Sequence, residues 1–210
     1  MKVSILSTVL IGFILFLPLI GISQGNLYYY QEAKTWEFGP RIGFTTSMIN
    51  SKGEPNIQRG IKMGLVGGVF VRYQLADQWA LHSDLSYSTR GNKNDVTNIE
   101  NGYVDFSIVP TRNIKYSMFG GEHTFDFFLG PGISFLTTSE DKSGNLSNIT
   151  KFFSATEFNI VLGGSLPFGP VLLTATNRIG VSNLIGPPSA SPDSSWHSFT
   201  TEWTAAYRFK

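Results

Sequence analysis

The sequence contains no cysteine, so the chain has no disulfide framework, thiolate metal site, cysteine nucleophile or lipidated N-terminal cysteine. Charge is also scarce and balanced. There are 16 Lys and Arg against 15 Asp and Glu, and charged residues make up 15% of the chain, below the roughly 25% usual for soluble domains. Nucleic-acid binders carry a basic surplus, so this near-zero balance argues against that class. The 41% hydrophobic content argues against a disordered tail.

The only long hydrophobic run lies at the N-terminus, where it has the parts of a secretory signal peptide. Lys2 precedes an apolar stretch from Val9 to Ile20, and small residues follow up to Ser23. A transmembrane anchor is the alternative, because the apolar region approaches the ~20 residues that a spanning helix needs. Pro18 and the early Ser and Thr residues favour a signal peptide. We therefore predict a signal peptide over residues 1–23, a periplasmic lead-in over 24–35 and one domain over 36–210.

After Ser23 the sequence shows period-two alternation, which is typical of a strand with two unlike faces. The clearest example is Trp79 to Arg90, where the odd positions are mostly large and apolar and the even positions small or polar. Eight segments alternate in this way: 36–48, 63–74, 79–90, 104–118, 125–135, 157–166, 171–182 and 199–209. They predict an all-β fold of eight strands.

Seven residues do not fit the alternation. Arg112 and Asn177 fall on the apolar face, and five apolar residues fall on the polar face: Val66, Phe70, Phe128, Val161 and Leu172. Proline inside a strand usually marks a bulge or an edge, so we expect a bulge at Pro110 that moves Arg112 to the polar face.

The composition of the polar face separates a membrane barrel from a soluble sandwich or calycin-like carrier, which also alternates. Glycines, small hydroxyl residues and charges of both signs fit a narrow lumen, whereas the other face carries large aliphatic and aromatic residues suited to lipid. The predicted interior charge network consists of Glu37, Arg41, Arg72, Asp84, Arg90, Asp105, Lys115, Asp126, Glu157, Arg178, Glu202 and Arg208.

The links between the strands alternate long and short, as in outer-membrane barrels with short periplasmic turns and longer outside loops. We therefore predict a monomeric, eight-stranded antiparallel up-and-down transmembrane β-barrel in the outer membrane of a Gram-negative bacterium. Its lipid-facing aromatic girdle at the periplasmic end would consist of Trp36, Tyr73, Trp79, Tyr116, Phe125, Tyr207 and Phe209.

Five segments carry a resemblance to a known family. They are Phe38–Gly43, Asp84–Gly91, Phe128–Gly132, Arg178–Leu184 and the ending Thr204–Phe209, in which an aromatic residue stands just before Lys210. Together they resemble the PorT-type outer-membrane β-barrel family of Bacteroidetes over roughly residues 36–209. The resemblance implies an eight-stranded barrel in the outer membrane and no single activity, since only some members are linked to protein secretion or gliding.

An eight-stranded barrel is just wide enough for its own side chains, so we expect a plugged lumen and no diffusion pore. His82, Asp84, Ser86 and Ser88 share the inner face, and an outer-membrane lipid hydrolase is conceivable, but spacing by two does not supply triad geometry. We expect no enzymatic activity, no cofactor and no metal site. His123 is expected in a periplasmic turn and His197 in a loop.

The expected role is that of a structural, binding or accessory component of the outer membrane, with a soluble secreted calycin-like binder as the alternative. The partners would be outer-membrane lipids and a protein bound through the outer loops or the lead-in, without nucleic acid. We expect exposed apolar residues in the outer loops at Phe152, Phe153 and Trp196.

Overall fold

The computed structural model describes residues 35–52, 60–93, 98–118, 121–143, 153–184 and 195–209. These residues contain no helix long and apolar enough to cross a membrane. The predicted signal peptide, the lead-in up to residue 34 and Phe152 lie outside the described residues. The strands are β1 (Trp36–Lys52), β2 (Lys62–Ala76), β3 (Trp79–Lys93), β4 (Asn98–Met118), β5 (Gly121–Asp141), β6 (Thr156–Phe168), β7 (Val171–Gly180) and β8 (Ser195–Tyr207).

The eight strands form one closed antiparallel barrel in sequence order. β1 pairs with β8 from Arg41 opposite Ala206 up to Lys52 opposite Ser195, so the sheet has no free edge over this length. The pairing of β1 with the C-terminal end of the chain continues at Phe209, which exchanges backbone hydrogen bonds of 2.8 and 3.1 Å with Phe38. The predicted eight-stranded antiparallel barrel is confirmed.

One end of the barrel carries short turns at 77–78 and 169–170 and the two-residue link between β4 and β5, together with both chain ends of the barrel. At the 169–170 turn, Gly169 has a φ of 57°, a conformation that only glycine adopts without strain. The other end carries the links 53–61, 94–97, 142–155 and 181–194. Short turns mark the periplasmic end of such barrels, so the long links face the outside.

Several strands extend further outward than the alternation predicted. β4 begins at Asn98 and β5 ends at Asp141, whereas the alternation placed their outer ends at residues 104 and 135. Backbone pairing continues from Tyr103 opposite Leu136 to Ile99 opposite Asp141, with a shift of one residue at Thr137. Because this shift reverses the phase of the alternation in β5, the pattern missed the extension.

The apolar face of the barrel points outward. Leu85 is 50% exposed and Trp203 46% exposed, whereas Asp84 in the adjacent position is 4% exposed. A soluble calycin-like carrier would have the reverse arrangement, with the apolar face inside.

The expected bulge at Pro110 is wrong. Ser107 pairs with Gly132 and Thr111 pairs with Phe128, so the register of β4 and β5 is the same on both sides of the proline. Pro110 faces outward and pairs with Leu81 of β3, and the pairing with β5 is interrupted between Ser107 and Thr111 without a shift. Arg112 consequently stays on the outer face.

The aromatic side chains at the periplasmic end contact one another in several places. The rings of Trp36 and Tyr73 lie 4.4 Å apart, and Phe209 lies 5.6 Å from Phe38 and 4.9 Å from Tyr207. Phe125 differs from the prediction because it is only 9% exposed. Its ring covers Gly164 of β6, where the missing side chain leaves room for it.

We predict that a charge placed at mid-height on the outer face destabilises the barrel far more than the same charge at the rim. Ile108→Lys should lower the free energy of unfolding in lipid by about 2–4 kcal/mol, and the control Leu75→Lys at the periplasmic rim by about 0–1 kcal/mol. Both side chains face outward, with exposed fractions of 43% and 50%. Equal losses in urea unfolding from vesicles would contradict the proposed position of the membrane.

Candidate functional site

The lumen is the part of the protein where charged side chains gather. Ten of the twelve predicted network residues are buried: Glu37, Arg41, Arg72, Asp84, Arg90, Asp105, Asp126, Glu157, Arg178 and Glu202. They are arranged in layers along the barrel axis, and each layer closes the lumen in a different way.

The central layer is a ring of two arginines and two carboxylates. The Arg41 guanidinium donates to Asp84 at 3.0 Å and to Glu202 at 2.5 Å. Arg178 donates to the same two carboxylates at 3.0 and 2.7 Å. The Ser107 hydroxyl also donates to Asp84. Each carboxylate therefore has two cationic partners, which offsets the cost of removing these charges from water.

A second group of charges lies on the extracellular side of this ring and is centred on Arg90. Its guanidinium pairs with Asp105, and Ser88 donates a 2.6 Å hydrogen bond to the same carboxylate. The guanidinium carbon lies 5.0 Å from the centre of the Tyr103 ring, a cation–π contact. Glu157 is a more distant partner at 3.7 Å. Arg90 thus fills the lumen between β3, β4 and β6.

Glu157 is held by a contact that spans β7. The Ser198 hydroxyl of β8 donates to Glu157 of β6 across Gly180, and a Cβ at Gly180 would collide with the carboxylate. Glycine on the polar face therefore makes room for a cross-lumen hydrogen bond at this point.

An apolar layer lies on the periplasmic side of the central ring, and it includes four of the five apolar residues that did not fit the alternation: Phe70, Phe128, Val161 and Leu172. The His82 ring is stacked between Phe70 and Phe128, with ring centres 5.6 and 5.9 Å apart and planes within 6°. The buried residues packed here also include Val109, Val161, Leu172 and Ala206. Apolar residues with the inward phase were the sequence signal for this layer.

A second ionic layer closes the periplasmic end. Arg72 pairs with Glu37 at 3.1 Å and with Asp126 at 3.3 Å, and it donates to Asn113 at 2.7 Å. Arg208 is partly exposed and lies 3.5 Å from Glu37.

Lys115 was predicted in the interior network, and this placement is wrong. The pairing of β3 with β4 ends at Trp79 opposite Arg112, so Lys115 extends past the end of β3. Its side chain is exposed at the periplasmic rim, because no strand encloses it on that side.

The extracellular end of the lumen is closed by an apolar cap, and this corrects the expectation that Phe153 is exposed. Phe153 is 6% exposed and packs with Ile49, Ile99 and Leu184. The Trp196 ring is edge-on to Phe153 at 6.2 Å. Backbone hydrogen bonds fix the cap, since Ser154 donates to Leu184 at 2.6 Å and Leu184 to Trp196 at 2.9 Å.

Outside the membrane-spanning part, Glu100 binds two lysines at the extracellular rim. Lys142 and Lys62 lie 2.8 and 2.9 Å from its two oxygens. Their hydrogen bonds hold the pKa of the Glu100 carboxyl below its usual range. This partly exposed group connects β2, β4 and the end of β5.

The remaining histidines are placed as follows. His123 lies within β5, close to its start, and not in a turn. Its ring is 5.6 Å from that of Tyr116. His197 lies within β8 and not in a loop. Across the described part of the chain, no three His, Cys, Asp or Glu side chains are grouped to hold a metal ion.

The arrangement leaves little free space. The void beside His82 and Asp84, and a second one beneath the apolar cap, each measure about 10 Å³, which is room for a single water. A closed eight-stranded barrel with an apolar outer face and an ionic lumen defines an integral outer-membrane β-barrel protein.

The comparisons with known proteins agree with this class. The family described as outer membrane protein beta-barrel domain matches residues 23–186, so the chain belongs to that family. The protein is located in the outer membrane of a Gram-negative bacterium, as predicted. No curated protein matches the chain.

Three solved structures share part of the architecture. Ail, the attachment invasion locus protein of Yersinia pestis, is 17% identical, with a TM-score of 0.46 over 82% of this chain and 98% of Ail. Neisserial surface protein A is 11% identical, with a TM-score of 0.45 over 85% of this chain and 100% of that protein. The outer membrane protein AlkL is 14% identical, with a TM-score of 0.42 over 90% and 96% of the two chains.

We predict that breaking the central ring is costly, whereas removing a matched pair is not. Arg178→Met should lower the free energy of unfolding by about 3–5 kcal/mol, because Asp84 and Glu202 each lose a partner in a closed lumen. The double variant Arg178→Met with Glu202→Leu should recover most of this loss. Urea unfolding in vesicles measures both, and an equally unstable double variant would contradict the pairing.

Proposed function

We propose that the protein is a non-catalytic, non-conducting outer-membrane barrel that serves as a binding or accessory component through its extracellular end. The observation that carries the proposal is the complete closure of the lumen. The apolar cap, the central ionic ring, the His82 layer and the periplasmic ion pairs follow one another along the axis, and the voids beside His82 and beneath the cap each have room for about one water. A solute would have to displace every layer.

The placement of His82 supports the absence of catalysis. Its ring is enclosed by Phe70 and Phe128, so a lipid ester has no route to it. Asp84 is occupied by Arg41, Arg178 and Ser107 and does not orient the imidazole as a triad requires. Incubation of the protein with outer-membrane lipids should give no turnover above that of His82→Ala, and a turnover that disappears in this variant would overturn the proposal.

The extracellular end offers the surface for a partner. β4 and β5 project beyond β6 and β7, since β5 continues to Asp141 whereas β6 begins at Thr156 opposite Phe135. The projecting ribbon carries exposed hydroxyl and charged side chains, including Thr138, Glu140 and Lys142. Loops on a rigid barrel are where such proteins place variable binding functions.

The finer assignment to the PorT-type group of Bacteroidetes rests on the resemblance in sequence. All five segments of the resemblance supply residues to the closed lumen: Arg41, Asp84, Phe128, Arg178 and Ala206 are examples. These motifs therefore encode interior packing and do not by themselves specify a partner. A link to secretion or gliding would appear as loss of secreted protein or of motility when the coding region is deleted.

We predict that the barrel stays closed even after its outer cap is removed. The wild-type protein in planar bilayers should show no steady conductance, and neither should Phe153→Ala combined with Trp196→Ala, because the ionic ring lies below the cap. A stable ohmic current through the wild-type barrel would overturn the proposed function. Current in the cap variant alone would show that the ring does not seal.

A partner should co-purify with the native protein from detergent-solubilised outer membranes. The test variant carries Thr138→Lys and Glu140→Lys on the projecting ribbon, and these changes leave the lumen intact. We expect this variant to lose the partner that the native protein retains. A partner retained at the wild-type level would place the binding surface elsewhere.

A further inference from the structure

Arg112 is a guanidinium on the lipid-facing side of the barrel. On β4 it pairs with Trp79 of β3 on one side and with Phe127 of β5 on the other. Both rings are exposed on the outer face, at 48% and 44%, and Arg112 is exposed with them. The guanidinium carbon lies 6.0 Å from the centre of the Trp79 ring, within cation–π range.

The height of Arg112 on the barrel places it at the periplasmic membrane boundary. Trp79 is the first residue of β3, directly after the turn at 77–78, and the pairing of β3 with β4 ends at Trp79 opposite Arg112. Near the interface, a cation on the outer face costs only about 0–1 kcal/mol. The side chain can lie along apolar surface with its charge at the level of the headgroups.

The other arginines of the described barrel differ from Arg112 in one respect. Each of them makes an ion pair with a carboxylate: Arg41, Arg72, Arg90, Arg178 and Arg208. Among the described residues, the ion pairs do not include Arg112. The lumen thus compensates its own charges, whereas the outward charge at Arg112 faces the membrane.

We propose that Arg112 and Trp79 form a binding site for the phosphodiester group of a phospholipid in the periplasmic leaflet. The guanidinium presents paired N–H donors that match two phosphate oxygens. The Trp79 ring holds the guanidinium from one side, and Phe127 lies where the acyl chain would run. This site is separate from the lumen and from the extracellular surface of the proposed function.

The Trp79 and Phe127 rings beside Arg112 favour a phospholipid over a free phosphate ion. Trp79 and Phe127 are exposed beside Arg112 at the membrane boundary, so a free phosphate ion would pair with the guanidinium without covering either ring. A phospholipid brings its phosphate to this level together with acyl chains that cover the rings.

The test measures retention of phosphatidylglycerol by the detergent-purified protein in native mass spectrometry. Arg112→Gln should weaken retention by about tenfold, the loss expected when one charge-assisted contact is removed. Arg112→Lys and Trp79→Leu should each weaken it by a smaller factor. The matched control is Lys115→Gln, which removes an exposed cation at the same end but on the lumen-side phase of β4, and it should leave retention unchanged.

Heat-modifiability on a gel first establishes that each variant is folded. If Arg112→Gln did not fold, Arg112→Lys and Trp79→Leu would carry the comparison. Wild-type retention in the folded Arg112 variants overturns the site. Equal losses in Lys115→Gln would show a general effect of charge and also overturn it. Competition by soluble glycerol phosphate as effective as that by the lipid would overturn the lipid as the source.

Discussion

The structure depends on one constraint, which is that the lumen of an eight-stranded barrel has room only for side chains. A charge placed there has no bulk water, so it must find a partner among the other inward residues. The ring of Arg41, Arg178, Asp84 and Glu202 meets this requirement with hydrogen bonds of 2.5 to 3.0 Å. Closure of the lumen and the absence of a solute path are consequences of this packing.

The same constraint explains why apolar residues occur on the inner face. The layer around His82 fills one level of the lumen with stacked rings and aliphatic side chains, which need no ionic partner. The apolar cap at Phe153 does so again at the extracellular end. Ionic and apolar layers therefore alternate along the axis, and each excludes water from its neighbour.

The outer face has the opposite requirement, because it contacts apolar lipid and a polar group there needs a hydrogen-bond partner. The Thr201 hydroxyl donates to Asn177 at 2.8 Å, so these two polar side chains on the outer surface are hydrogen-bonded to each other. Arg112 lies at the periplasmic boundary, where a charge is tolerated. Its position follows from the register across Pro110, which is not shifted, whereas the sequence predicts a bulge there.

The sequence by itself determined the fold class, the number of strands and the face on which most residues lie, because a strand places alternate side chains on opposite sides whatever its neighbours are. It did not determine which charges meet. Arg178 and Asp84 are 94 positions apart, and only closure of the barrel and the register of its strands bring them to one height. The same geometry decided that Lys115 lies outside the network and that Phe153 is buried. The height of a side chain along the barrel axis depends on the pairing between strands, so it cannot be predicted from the residue pattern of one strand.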